Sequence, residues 1–181
     1  MKDLSLHILD LAENSFLAGA DKLILRLKED ISNNQLVLVM ADNGKGMEEI
    51  ELKSVSDPFY TGRNKKVGLG IPLIKYNAEL SGGFLEIFSW AGVGTVLVAV
   101  FEYNHIDRPP LGDIPESIIS LVTLNSDQDI YFYHSYDGKK YEFKTSEYRE
   151  ELGSIPLDNK EVLKFITDDL KTNFRKLRGE N

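Results

Sequence analysis

The apolar residues switch between helical and strand spacing along the first half of the chain, which confines it to folds that lay helices on a sheet. Leu4, Ile8, Leu11 and Ala12 recur at helical spacing and Ala18-Gly19-Ala20 supplies a stop, so a helix is predicted from about Lys2 to Leu17. The β-prone runs KLILRL (Lys22 to Leu27) and QLVLVM (Gln35 to Met40), joined by the polar turn Ser32-Asn33-Asn34, predict a hairpin. A short helix near Met47 to Val55 comes next, then a loop with Pro58, Gly62, Arg63, Lys65 and Lys66. A helix from about Gly70 to Leu80 follows, closed by Gly82-Gly83. Two further strands, Phe84 to Ser89 and Thr95 to Glu102, flank Gly92-Val93-Gly94, giving an α/β segment with antiparallel strands.

Composition shifts near His105, where Asp107-Arg108-Pro109-Pro110-Leu111-Gly112 has the character of a linker, so two regions are expected, residues 1 to 104 and 105 to 181. Ten of the 14 glycines lie in the first region, whereas each region carries a net charge of −4 (10 minus 14, then 11 minus 15). The second region predicts a small α/β unit. It holds a helix, a hairpin from Ile130 to Ser135 and Tyr141 to Lys144 around Asp137-Gly138, and a last helix from about Lys160 to Leu177. In that helix Val162, Phe165, Ile166, Leu170 and Phe174 form an apolar stripe, expected to pack on its own hairpin.

The chain has no cysteine, which excludes disulfides, thiolate catalysis and cysteine-ligated metal centres. A formal net charge of −8 argues against nonspecific nucleic-acid binding. No apolar run is long enough to span a membrane and the N-terminus lacks a secretory pattern, so a cytoplasmic protein is expected.

Four clusters in the first region stand where regular elements meet loops, the usual place for gripping a ligand. Asp10 and Asn14 sit four apart on one helix face; Asn offers an oxygen to Mg²⁺, and Asp can take a proton from water or a hydroxyl. Alone, such a pair is an ordinary solvated stripe. Asp42-Asn43-Gly44-Lys45-Gly46-Met47 follows an apolar strand; its first carboxylate can accept from an exocyclic amine such as adenine N6, and its glycines allow close approach to a flat ring. Asp57 to Arg63 leads through Asn64-Lys65-Lys66 into Val67-Gly68-Leu69-Gly70 at a helix start, an arrangement suited to polyphosphate but outside the Walker pattern. Gly92-Val93-Gly94-Thr95 places a hydroxyl at the head of a strand.

In chain order, ENSFLAGA, DNGKGM, DPFYTGR, VGLGIPLIK and GVGT resemble the N, G1, F, G2 and G3 boxes of the superfamily of gyrase, the large heat-shock chaperone, histidine kinase and MutL. The resemblance covers about residues 1 to 104 and implies the Bergerat fold, an α+β two-layer sandwich with a mixed, mostly antiparallel sheet. It implies Mg-ATP as ligand, with Asn14 on Mg²⁺, Asp42 on adenine N6 and Gly44, Gly46 and Met47 around the base. Gly68, Leu69 and Gly70 would hold phosphates, Thr95 would act near adenine through water, and residues 61 to 67, with Thr61 and Lys66 at the nucleotide, would form a lid.

ILDLAENSFLAGA looks most like MutL, whereas DPFYTGR and VGLGIPLIKYNAELSGG look like the catalytic domain of sensor histidine kinases. Hydrolytic members carry a water-activating Glu four residues before the box Asn, where this chain has Asp10; histidine kinases usually have Asn there and a Lys where this chain has Leu17. The chain starts at the N-box helix, without the helical hairpin that presents a phosphoacceptor His, and His7 reads as structural. MutL and gyrase draw a γ-phosphate Lys from a second domain, and nothing in the sequence brings Lys139, Lys140 or Lys144 to the nucleotide. The leading expectation is a stand-alone regulatory protein kinase or phosphotransferase acting on a separate partner, with Asp10 as the catalytic group, on the plan of the anti-sigma-factor serine kinases. An ATPase switch and a non-catalytic ATP sensor are the alternatives; a homodimer is left open.

Overall fold

In the computed structural model the described residues are 2–55 and 69–179. They form α1 (Leu4–Leu17), β1 (Lys22–Asp30), β2 (Gln35–Asp42), α2 (Glu49–Ser54), α3 (Gly70–Leu80), β3 (Phe84–Trp90) and β4 (Gly94–Glu102). The second half adds α4 (Ile114–Leu124), β5 (Asp129–Tyr136), β6 (Lys139–Lys144), α5 (Thr145–Leu152) and α6 (Lys160–Arg178). The six strands make one open sheet in the order β3-β4-β2-β1-β5-β6. Every neighbouring pair is antiparallel except β1 and β5, which run parallel with Leu23 opposite Ile130 and Leu25 opposite Phe132. A mixed, mostly antiparallel sheet with helices packed on it is the expected fold class, and the Bergerat architecture accounts for it.

Strand alternation decides which face is covered. Leu23, Leu25 and Leu27, Leu36, Leu38 and Met40, and Leu97, Ala99 and Phe101 point to one side, and they share a core with Leu4, Ile8 and Leu11 of α1, Ile74 and Ala78 of α3, and Ile114 and Ile118 of α4. Phe132 and Phe143 extend this core beneath α6, whose Val162, Ile166, Leu170 and Phe174 are buried. Phe165 departs from the expected stripe: it is exposed and meets Tyr148 edge-on, because the buried face follows a four-residue step that skips it. On the sheet's other face Val37, Val39, Val96, Val98 and Val100 remain half-buried.

The compositional change near His105 falls in the turns between β4 and α4. There Leu4 N donates to Pro110 O and Ser5 N to Leu111 O, both at 2.9 Å, so this segment is fastened to the start of α1. A buried ionic cluster lies at the far end of β1. Glu29 shares the inward face with Leu27 and accepts from His134 Nε2 at 2.8 Å, Arg178 Nη1 at 2.6 Å and Tyr103 OH at 3.1 Å. It joins β1, β5 and the end of α6, and removing one partner would strand a charge in the interior.

His7 is buried on α1 with Nε2 2.9 Å from Asn77 Nδ2 on α3; the carboxamide donates, so the ring is a neutral acceptor there. Burial is the main cause that pushes the imidazole down from 6.5 to about 4. Between those values the unfolded chain takes up a proton that the folded chain refuses, so this contribution is complete above pH 6.5 and declines as the pH falls toward 4. The expected loss from this group is on the order of 3 kcal/mol. Urea unfolding at pH 7, 5.5 and 4 should show a steeper acid decline for the native chain than for His7→Gln; parallel declines would count against the assignment.

Candidate functional site

The site begins at the C-terminal end of β2. Asp42 Oδ2 accepts from Ser15 Oγ of α1 at 2.8 Å, and Oδ1 accepts from Gly44 N at 2.9 Å. These bonds use one acceptor position on each oxygen and leave further lone pairs for an amino group. Asn43 holds the strand end in place, accepting from Lys22 N at 2.9 Å and Asp21 N at 3.1 Å while donating to Asp21 Oδ1 at 2.6 Å. Sequence reasoning passed over Ser15 and Asn43 as site-building groups. Ser15 follows Asn14 on the buried side of α1, and period alone could have marked a hydroxyl there as needing a partner.

The glycines fit two close backbone crossings. Gly46 has φ +62°, and a β-carbon on it would overlap the Trp90 carbonyl oxygen; Gly94 has φ +139°, and a β-carbon there would overlap the Asp42 carbonyl oxygen. Gly94 therefore lets β4 begin directly against the strand end that carries the carboxylate. Thr95 is the cross-strand partner of Asp42, and its Oγ1 is 2.8 Å from Ser89 Oγ, which also accepts from Met47 N at 2.9 Å. Asp42, Gly44, Gly46, Met47 and Thr95 are thus brought into one region, with Ser89 as an unforeseen link.

A second group lies along α1 toward its N-terminus. Asn14 Nδ2 donates to Asp10 O at 2.9 Å and is 3.5 Å from Asp10 Oδ2, so the two expected residues share one face. Asp10 is five residues before Ser15, a rise of about 7.5 Å along the helix. A β-carbon on Gly70 would overlap Asp10 Oδ2, so the absence of a side chain at the start of α3 makes room for this carboxylate. The first turn of α3 has no side-chain cap, and with Pro72 lacking N–H, Gly70 and Ile71 present its donors. Leu69 precedes them and is exposed. Burial, and secondly the charge of Glu13, raises the Asp10 pKa, which strengthens the carboxylate as a base. Thr61, Lys66 and Gly68 lie outside the described residues.

One end of the site therefore offers a fixed carboxylate and closely packed backbone, which suits a flat base bearing an amine. The other offers an uncapped helix start beside a carboxylate of raised pKa and a carboxamide oxygen, which suits phosphates with a cation. Among the described residues no group of three His, Asp or Glu side chains could hold a metal.

The profile of the family described as histidine kinase-, DNA gyrase B-, and HSP90-like ATPase matches residues 2–105, and the chain belongs to this family of ATP-binding, kinase-like domains. It is 26% identical over 117 residues to the circadian input-output histidine kinase CikA of Synechocystis sp., covering 61% of this chain and 15% of that one. It is 38% identical over 64 residues to sporulation kinase C of Bacillus subtilis, covering 35% of this chain and 15% of the kinase. The matched part is thus a small fraction of each kinase. The N terminal domain of a DNA repair protein shares the fold, with a TM-score of 0.55 at 13% identity, covering 78% of this chain and 52% of that one.

Proposed function

We propose that the protein binds Mg-ATP between the end of β2 and the start of α3 and transfers the γ-phosphoryl group to a separate protein partner in a regulatory role. The observation that carries this is the position of Asp10 Oδ2 against Gly70, which sets a base of raised pKa beside the donors of the α3 N-terminus. Asp42 holds the adenine amine, Gly44, Gly46 and Met47 flank the ring, and Thr95 and Ser89 order water at its edge. Thr61, Lys66, Gly68 and Leu69 complete the phosphate end as the family boxes imply. Asn14 Oδ1 is the chain's donor to Mg²⁺, which when bound neutralises charge on the phosphate oxygens. Asp10 takes the acceptor's proton as the acceptor forms its bond to Pγ; the bond from Pγ to the β,γ-bridging oxygen breaks and ADP leaves.

The acceptor belongs to another molecule on this reading because the histidines of this chain are poorly placed. His7 and His134 are buried, and His105 lies in the turn after β4, whose seven steps beyond Thr95 carry it about 24 Å away. No helix among the described residues is long and apolar enough to cross a membrane, and a cytoplasmic partner is the simplest match. An ATPase switch is the second reading, favoured by the acid at position 10. Mg-ATP labelled at the γ-phosphate separates the two. Label on an added partner fraction with little free phosphate supports transfer; free phosphate without labelled protein supports the switch and overturns the kinase proposal.

A further inference from the structure

The two edges of the sheet are built differently. β6, at one edge, reads KKYEFK and carries Lys139, Lys140, Glu142 and Lys144, the charged character that keeps edge strands from pairing with other chains. β3, at the other edge, reads FLEIFSW, seven residues with one charge and no proline. Phe84, Phe88 and Trp90 are 47%, 45% and 58% exposed at alternate positions along it. Among the described residues no strand pairs with its outer side. Apolar edges of this length with a single charge are the kind that pair with another chain.

We infer that β3 is a homodimer seam, on which the β3 of a second copy adds antiparallel to make one continuous twelve-stranded sheet. The strand is complementary to itself in one register. With Ile87 on the two-fold axis all seven residues overlap, placing Phe84 opposite Trp90 and Glu86 opposite Phe88, so aromatic pairs form at both ends. Centring on Glu86 would oppose two carboxylates, and centring on Phe88 would shorten the overlap and set Glu86 against Trp90. A seven-residue seam is about 24 Å long, a short contact for which a weak, reversible dimer with a dissociation constant on the order of micromolar is expected. This inference does not depend on the proposed phosphoryl transfer.

Sedimentation velocity of the full chain from about 2 to 200 μM should show a monomer–dimer equilibrium centred in the micromolar range. Phe84→Lys combined with Trp90→Lys opposes ammonium groups at both ends of the seam and should weaken dimerisation at least tenfold, whereas Phe88→Lys meets Glu86 of the second copy and should leave it equal or tighter. Because the chain has no cysteine, an equimolar mixture of Glu86→Cys and Phe88→Cys proteins should form a disulfide-linked pair on oxidation. All the substituted side chains are solvent-facing, and unchanged thermal melting confirms that each variant folds. A native protein monomeric throughout the range, Phe88→Lys dissociating like the double variant, or no crosslink in the mixture would overturn the proposal.

Discussion

Asp42→Asn is expected to weaken Mg-ATP binding by roughly 100-fold while leaving the fold intact. Both present partners of the Asp42 carboxylate are donors, Ser15 Oγ and Gly44 N. An asparagine can serve Gly44 with its oxygen and turn its amide toward Ser15, whose hydroxyl rotates to accept, so the local structure survives. What it cannot do is offer a charged acceptor to an exocyclic amine on the remaining side. A hydrogen bond to a charged group is worth about 1.5–3 kcal/mol, and leaving the adenine amine without a partner adds its desolvation. Calorimetric titration with Mg-ATP reads the loss directly, and thermal melting within about 4 °C of native shows that folding is unaffected. An affinity within about threefold of native would mean that Asp42 does not meet the base.

Asp10→Asn separates binding from chemistry. Asparagine matches the shape of the carboxylate, so it fits the space left by Gly70 and keeps its place one helical turn from Asn14. It has no basicity, and losing a positioned general base costs about 10²–10⁴ in rate. The expected result is nucleotide affinity close to native with phosphate release or transfer reduced by at least about 100-fold. The surviving rate should also lose the acid limb of its pH profile, since that limb reports the group that must be ionised. Full activity in the variant would remove Asp10 from the reaction and assign the base to another group.

Much of the fold was legible because each element of the first half announces itself locally. Leu4, Ile8 and Leu11 specify the core face of α1, Gly82 closes α3, and Gly92 to Gly94 turn β3 into β4 within a residue of the expected positions. The clustering of Asp42 with Gly44, Gly46 and Thr95 was legible for the same reason, since Asp42 terminates an apolar strand and glycines follow it. Long-range placement was not. Nothing in Ile130 to Ser135 says that this strand joins β1 in parallel, because parallel pairing is made across a crossover and leaves no turn signal. Nor did Glu29 stand out, although it continues the inward series Leu23, Leu25 and Leu27; its partners His134 and Arg178 are more than a hundred residues away. The overlap between Asp10 and a β-carbon at position 70 depends on how two helices meet, which no spacing within either one records.

The parallel pairing of β5 with β1 bears on how this domain could be cut, fused or grafted. The family match ends at residue 105, yet a fragment stopped there would bare the whole outer ladder of β1 and open the hydrophobic layer beneath Ile130 and Phe132. The portable module is therefore the entire sheet, from the start of α1 to the close of α6. Chimaeras that borrow its nucleotide site should take β5 and β6 with it, joining at the chain ends instead of at the compositional boundary.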